Sequence, residues 1–307
     1  MKIISYTSVI PAKNKSEEKL QILTNFAKGV SRIGDEGLIH RGYDPLPCDV
    51  AIIQGWQHER GKTAPHLALR QKLIDRTHNT HVITADSNLF LYANPTNKPH
   101  HYLRYSINGI FPTTGNYCDD RINPKRWEQI SRDCNIHLGD MKHKGKHIVL
   151  CCQRDGGWSM GNSSVIQWAN NCITELRKYT DMKIIIRGHP GDKSASTYLK
   201  DNTFAHHKDV VVSRWGTPLE RDLKKAWAVV NHNSSSVVGP IIMGYHAFVT
   251  DPQKSQCAEV ANTDFSKILS PAEFDREKWL QRISMFHWKF SELQDGTCWS
   301  HMRSYCQ

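Results

Sequence analysis

Three short stretches carry side chains suited to holding an anion: Gln153-Arg154-Asp155-Gly156-Gly157, Arg187-Gly188-His189-Pro190 and Asn233-Ser234-Ser235-Ser236. Arg and His supply N–H donors and positive charge, and the serines supply hydroxyl donors. Gly156 and Gly157 would let backbone N–H groups approach an oxygen closely. Taken alone, Arg187-Gly188-His189-Pro190 is more simply a polar turn. Its company changes that reading. Each stretch follows an apolar run: Ile148 to Cys152, Lys183 to Arg187, and Trp227 to Asn231. Such β-branched runs read as buried strands, and a helical pattern follows each of them. In a parallel sheet the carboxyl ends of strands share one edge, where ligands bind. Arg154, Gly156, Gly157, Arg187, His189, Ser234, Ser235 and Ser236 are therefore expected to converge on one site. The Gly-rich stretch is neither a Walker A sequence nor the dinucleotide fingerprint.

The first half offers a second kind of chemistry. Gly55-Trp56-Gln57-His58-Glu59-Arg60-Gly61-Lys62 follows the apolar run Asp49 to Gln54. His58 and Glu59 are candidates for a general base, with Asp86 and Asp119 as alternatives. Glu59 could equally sit in a surface salt bridge with Arg60 or Lys62. Residues 86–120 hold Tyr92, His100, His101, Tyr102, Arg104, Tyr105, Asn108, Tyr117, Asp119 and Asp120. Aromatics interleaved with cations can stack on bases and hold phosphates. An irregular, well-packed loop is the competing reading. Trp56, Arg60, Lys62, Tyr102, Arg104 and Tyr105 are the candidate acceptor- or DNA-binding residues.

The elements that must position these groups alternate between strand and helix. Ile3 to Tyr6, Asp49 to Gly55 and His81 to Asp86 read as strands. Ser16-Glu17-Glu18 reads as a helix start, continued by Leu20, Leu23, Phe26, Ala27 and Val30. Helices are also expected over 63–76 and 124–134. The polar stretch Gly139 to His147 reads as a linker. In the second half, Asp209 to Val212 and Ala247 to Asp251 add strands, and Val237 to Met243 a short helix. The end of the chain, from Asp275, reads as helical and rich in Trp. This alternation implies an α/β protein with two parallel sheets, one over residues 1–143 and one over 144–307.

Composition narrows the partners. The chain has 307 residues and a net charge of +10, with Lys and Arg spread along its length. A folded basic protein favours anionic partners: nucleic acid, nucleotides or an acidic membrane surface. No apolar run approaches the roughly 20 residues of a membrane span. The start, Met1-Lys2-Ile3-Ile4-Ser5-Tyr6, reads as a first strand rather than a secretory signal. Nine cysteines without pattern argue for a reducing, cytoplasmic compartment. No Cys/His cluster has zinc spacing, and no metal or other cofactor is expected.

Two such halves, a linker between them and a C-terminal segment able to cross back resemble the GT-B glycosyltransferases. The His189-Pro190 turn after one strand and the Ser234-Ser236 turn after a later one are similar to the nucleotide-binding half of bacterial capsule and Kdo-type transferases and of sialyltransferase-like enzymes. The resemblance implies two Rossmann-like domains with a cleft between them, and a UDP-sugar as co-substrate. It implies donor contacts from Arg154, Arg187, His189 and the three serines, with Glu259 on the ribose. Glu259 could also be a solvated helix residue. The chain departs from these relatives where Gly239-Pro240 and Gly244-Tyr245-His246 stand in place of their Glu-Ala pair and Gly-x-Pro. In size, charge and layout the whole chain also resembles the transferases of T4-like bacteriophages that glycosylate 5-hydroxymethylcytosine in DNA, in particular the arabinosyltransferase type. That resemblance implies double-stranded DNA as partner, a monomer, and the cytoplasm of an infected cell. Working on a base in a duplex requires flipping it into a pocket. The alternatives are a transferase acting on a capsule or lipopolysaccharide glycan, and a non-catalytic nucleic-acid-binding protein.

Overall fold

The computed structural model describes residues 1–11, 16–56, 64–92, 102–161 and 163–307. His58, Glu59, Arg60 and Lys62 lie outside the described residues. The chain divides into two compact units. The first takes Met1–Leu91, a stretch ending at Asn135, and Leu280–Gln307; the second is built on Ile136–Trp279.

In the first unit β1 (Lys2–Tyr6) leads through α1 (Glu17–Arg32) to β2 (Glu36–His40) and β3 (Cys48–Gln54). Then come α2 (Pro65–Ile74), β4 (Asn79–Asp86), β5 (Leu103–Ile107) and α3 (Pro124–Cys134). Ser16 caps α1 by accepting the Lys19 N–H at 3.3 Å, with Glu17 and Glu18 in the first turn. One face of α1 buries Leu23, Phe26 and Val30 against the sheet core of Ile3, Ile4, Val50, Ile52 and Val82. Each such side chain contributes about 1.5–3 kcal/mol on burial.

In the second unit β6 (His147–Cys151) is followed by α4 (Val165–Leu176), β7 (Lys183–Arg187), α5 (Ala195–Tyr198) and β8 (Val210–Val212). The chain continues through α6 (Leu219–Leu223), β9 (Ala226–Asn231), α7 (Val238–Ile242) and β10 (His246–Val249). These five strands form an all-parallel sheet in the order β10-β9-β6-β7-β8. Strand order reverses about β6, which has β7 on one side and β9 on the other. The core beneath contains Ile148, Leu150, Ile184, Ile186 and Val230, with Trp168, Ala169 and Ile173 from α4.

The chain closes with α8 (Arg276–Ser284), β11 (His287–Trp288), α9 (Phe290–Gln294) and α10 (Thr297–Met302). β11 pairs antiparallel with β5, so the first unit's sheet runs β11-β5-β4-β3-β1-β2. Its β2, β1, β3 and β4 are parallel, while β4–β5 is antiparallel. Asp35 anchors this returning segment: it accepts from Trp299 Nε1 at 2.8 Å, from Arg303 Nε at 2.7 Å and from the N-terminal amine at 2.8 Å. These donors, Arg303 foremost, hold its carboxyl well below the usual carboxylate range. Gly29 on α1 lets α9 approach, since a Cβ there would stand 1.9 Å from Leu293 O.

Three features differ from the sequence reading. The stretch read as one long loop over 86–120 contains β5, and Glu36–His40 is a strand. The expected boundary after His143 and the division after Asn135 differ by the segment 136–143. That segment is tied to the second unit, because Gly139 N–H donates to Ile242 O and Lys142 N–H to Gly244 O, both at 2.8 Å.

Candidate functional site

The sheet register of the second unit sets the site. Cys151, the last residue of β6, pairs with Arg187 on β7 and with Asn231 on β9. Neighbouring strands stand about 4.8 Å apart, so the loops leaving these residues start side by side on one carboxyl edge. The strand-order reversal at β6 opens a crevice there. A small pocket of about 90 Å³ occupies that edge, lined by Cys151, Cys152, Arg187, Gly188, His189, Pro190, Leu219 and Ser234–Ser236. A larger pocket of about 680 Å³ shares Arg187, Gly188 and Pro190 and continues past Lys200, Arg214 and Trp215.

Hydrogen bonds fix which polar atoms of the residues lining the small pocket are already occupied. His189 Nδ1 accepts the Gly191 N–H at 3.0 Å. In the neutral ring the proton therefore sits on Nε2, which has no partner among the described residues. Burial, and then the positive charge of Arg154, push the His189 pKa down, which favours that neutral donor form. Ser234 Oγ accepts the Ser236 N–H at 3.0 Å, and Asn231 Nδ2 donates to Ser234 O at 2.6 Å. The serine turn is thus held by the fully buried Asn231 at the end of β9. Ser235 Oγ has no partner among the described residues.

The loops are braced against one another. Gln153 Oε1 accepts the Asn233 N–H at 2.8 Å, and Asn233 Nδ2 donates to Asp251 Oδ2 at 2.9 Å. Asp192 Oδ2 accepts from the Asp155 N–H at 3.1 Å and from Tyr198 OH at 2.6 Å. Arg187 Nη1 is ion-paired with Asp222 Oδ2 at 2.8 Å, and Ser213 Oγ donates to the same oxygen at 2.7 Å. Asp192 and Asp222 were not singled out from the sequence, and Gln153 and Asn233 stood in the anion-holding stretches without this role. They act through contacts between loops that no local spacing reveals.

The expected residues divide into groups. Arg187, His189, Ser234, Ser235 and Ser236 come together around the small pocket. Arg154 is exposed and donates to Gly191 O at 2.8 Å, bracing the His189 turn rather than lining that pocket. Gly156 and Gly157 form the tight turn after Arg154, with Gly157 N–H on Arg154 O at 3.1 Å. The helix N-terminus behind them is already served, because Asp155 Oδ1 accepts the Val165 N–H at 3.1 Å. Glu259 sits in a short 3-10 turn, Ala258–Val260, in the segment after β10 and outside both pocket linings.

In the first unit the aromatic expectation is corrected. Tyr102 and Tyr105 are each 1% exposed and belong to the core, with no ring face open to a base. Tyr102 OH donates to Asp133 Oδ2 at 2.7 Å. Arg104 is ion-paired with Asp86, and Asp119 with Arg282, which gives both alternative base candidates structural partners. Trp56 is half-buried, and its carbonyl accepts from Arg70. Among the described residues no group of three or more His, Cys, Asp or Glu is placed to hold a metal ion. No helix among them is long and apolar enough to cross a membrane.

No family model matches the chain, and no curated protein matches it by sequence. Solved structures do match in fold. One is the β-Kdo 2,4-transferase of Thermosulfurimonas dismutans KpsC, at 12% identity and a TM-score of 0.52, covering 93% of this chain and 90% of that one. Another is the β-Kdo 2,7-transferase of the same organism's KpsC, at 10% identity and a TM-score of 0.52, covering 97% and 99%. The chain has a mixed α/β, two-domain, GT-B-like fold that resembles these KpsC glycosyltransferases.

Proposed function

We propose that the protein is a glycosyltransferase that moves a sugar from a nucleotide-sugar donor to a saccharide acceptor of the capsule or lipopolysaccharide kind. The observation that carries this is the convergence of His189 Nε2–H and the Ser234–Ser236 hydroxyls at the strand-order reversal of the second unit. His189 Nε2–H and Ser235 Oγ have no partner among the described residues, while Ser234 Oγ donates to Ser236 Oγ at 3.0 Å, in a chain whose fold resembles two Kdo transferases.

In the proposed reaction an acceptor hydroxyl oxygen attacks the anomeric carbon. The bond from that carbon to the phosphate oxygen breaks, and its electron pair stays with the departing nucleotide. Negative charge grows on the phosphate, where His189, the serine hydroxyls and the N–H groups of their turns stabilise it. The larger pocket beside Arg214 and Trp215 gives room for the rest of the nucleotide. A UDP-sugar is the donor to try first. The hydroxyl proton goes to a base, for which His58 and Glu59 remain the candidates.

A 5-hydroxymethylcytosine acceptor in DNA is the second reading, favoured by the net charge of +10. The burial of Tyr102 and Tyr105 removes two of the stacking residues it relied on. One experiment tests both readings: mass spectrometry of products from a panel of nucleotide sugars with acidic and neutral oligosaccharides and with 5-hydroxymethylcytosine DNA. Sugar addition to a saccharide supports the glycan reading, and addition to DNA replaces it with the second. Addition to neither overturns the transferase reading.

A further inference from the structure

A row of cations runs along the amino edge of the second unit's sheet, at the opposite end of the strands from the candidate site. The strand order is β10-β9-β6-β7-β8, and every strand has a lysine at or just before its start. Lys225 precedes β9, Lys146 precedes β6, Lys183 opens β7 and Lys208 stands two residues before β8. Lys142 joins the β10 end, where its N–H donates to Gly244 O at 2.8 Å. The pairing sets them side by side, because His147 lies against Ala226 and Lys183, and Ile184 against Val210. At about 4.8 Å per strand the row is about 19 Å long. All five lysines are exposed, and none makes an ion pair among the described residues. The acids at this edge have cations of their own: Asp181 and Asp209 act on Arg177, and Glu273 and Asp140 on Arg276.

Exposed apolar side chains stand among these lysines. Trp227, on β9, donates its Nε1–H to Ile268 O at 2.5 Å, which holds Leu269 beside the start of that strand. Leu269 is 58% exposed, more than any other large apolar side chain among the described residues. Tyr179, in the turn between α4 and β7, is exposed as well, and so is Leu138, next to the end of α7. Among the described residues of the second unit, the remaining exposed large apolar side chain is Trp215, at the carboxyl edge. Apolar groups ringed by cations suit the boundary between lipid headgroups and acyl chains. Lysine ammoniums are point charges on flexible apolar stems, which can lie along that boundary while the charge reaches a phosphate. The phosphates of a duplex would use the same cations and leave Leu269 in water, so the pairing of the two features favours lipid.

We propose that the amino edge of the second unit's sheet docks on an anionic lipid bilayer, with the lysines at headgroup phosphates and Leu269 at the acyl boundary. This does not depend on the transferase reading. β6 is five residues long, so about 16 Å of strand separates this edge from the pocket at the other. The test is flotation of the full chain with vesicles of phosphatidylcholine alone and of phosphatidylcholine mixed with phosphatidylglycerol. The expected result is binding to the anionic vesicles only, weakening as salt rises. Each lysine near the surface is worth about fivefold, so removing three together, by Lys146→Ala, Lys183→Ala and Lys225→Ala, should weaken binding about 100-fold. Leu269→Ser should weaken it about tenfold. Exposed lysines of the first unit serve as the control: Lys28→Ala, Lys72→Ala and Lys125→Ala together should bind like the wild type. All of these are surface changes, and urea midpoints close to the wild type confirm that lost binding is not lost folding. Equal binding to neutral vesicles, an equal loss in the first-unit variant or an unaltered Leu269→Ser overturns the proposal. So does failure to float with the anionic vesicles, whether or not the chain retards duplex DNA in a gel. Nucleotide binding is read separately, so failure here leaves the transferase reading standing.

Discussion

Arg187 at the end of β7 is not a free cation: its Nη1 lies 2.8 Å from Asp222 Oδ2, and both side chains are largely buried. The pair neutralises the arginine until an anion competes for it, and it fixes the guanidinium at the rim of both pockets. Removing one partner of a buried pair leaves an uncompensated charge. Asp222→Ala should therefore lower the unfolding free energy by about 3 kcal/mol. The freed guanidinium should then take more from a phosphate, so UDP should raise the Tm of the variant by more than it raises that of the wild type. Urea and thermal unfolding with and without UDP check both statements.

Ser235 offers a hydroxyl to the pocket and no bond to the fold among the described residues. Ser235→Ala should weaken nucleotide binding by about tenfold, the worth of one hydrogen bond to a charged group. Its urea midpoint should stay within error of the wild type. Asn231→Ala, in contrast, should lower both, because Asn231 is buried and holds the turn through Ser234 O.

His287 predicts the acid limb of stability. It is fully buried, accepts the Leu89 N–H at 3.1 Å on Nε2 and holds Ile283 O at 2.7 Å through Nδ1. Desolvation lowers its pKa to about 3. The unfolded chain takes up that proton near pH 6.5, while the folded chain resists it. Between these values the unfolded state binds more protons, so stability falls as pH falls, by up to about 1.4 kcal/mol per pH unit from this group. His287→Gln should show a shallower loss between about pH 6 and 4. An unchanged slope, measured by urea unfolding across that range, would place the acid sensitivity elsewhere.

Gly29 tests the packing of α1 on α9. A methyl group there meets the Leu293 carbonyl at 1.9 Å, which is backbone and cannot swing away. Gly29→Ala should destabilise the first unit by about 3 kcal/mol. Limited proteolysis should show earlier cutting in the C-terminal segment while nucleotide binding persists.

Much of this was legible in the residues themselves. The runs over Ile148, Lys183 and Trp227 form β6, β7 and β9 because they are rich in apolar, largely β-branched residues, buried on both faces in β6 and β9 and on one face in β7. Their shared edge follows from parallel pairing. The convergence of His189 with the serine turn could thus be read before any coordinate. The brace of Asp192, Asn233, Gln153 and Asp222 could not, because its Asp155–Asp192, Gln153–Asn233 and Arg187–Asp222 contacts join segments distant in sequence. Tyr102 and Tyr105 show the opposite failure. Next to Arg104 they resemble a base-stacking surface, but β5 pairs into the sheet between β4 and β11, and the rings are packed inward. Local composition does not distinguish a polar loop from an interior strand flanked by cations whose charges are met elsewhere in the fold.

The most direct measurement is an equilibrium titration of the protein with UDP, a panel of UDP-sugars and uridine, repeated on His189→Ala. Phosphate recognition by His189 and the serine turn requires UDP or a UDP-sugar to bind at least about 100-fold more tightly than uridine. It also requires His189→Ala to lose about tenfold or more of that affinity with its fold intact. Equal binding of uridine and UDP, or an unaltered affinity in His189→Ala, would contradict the donor site described here.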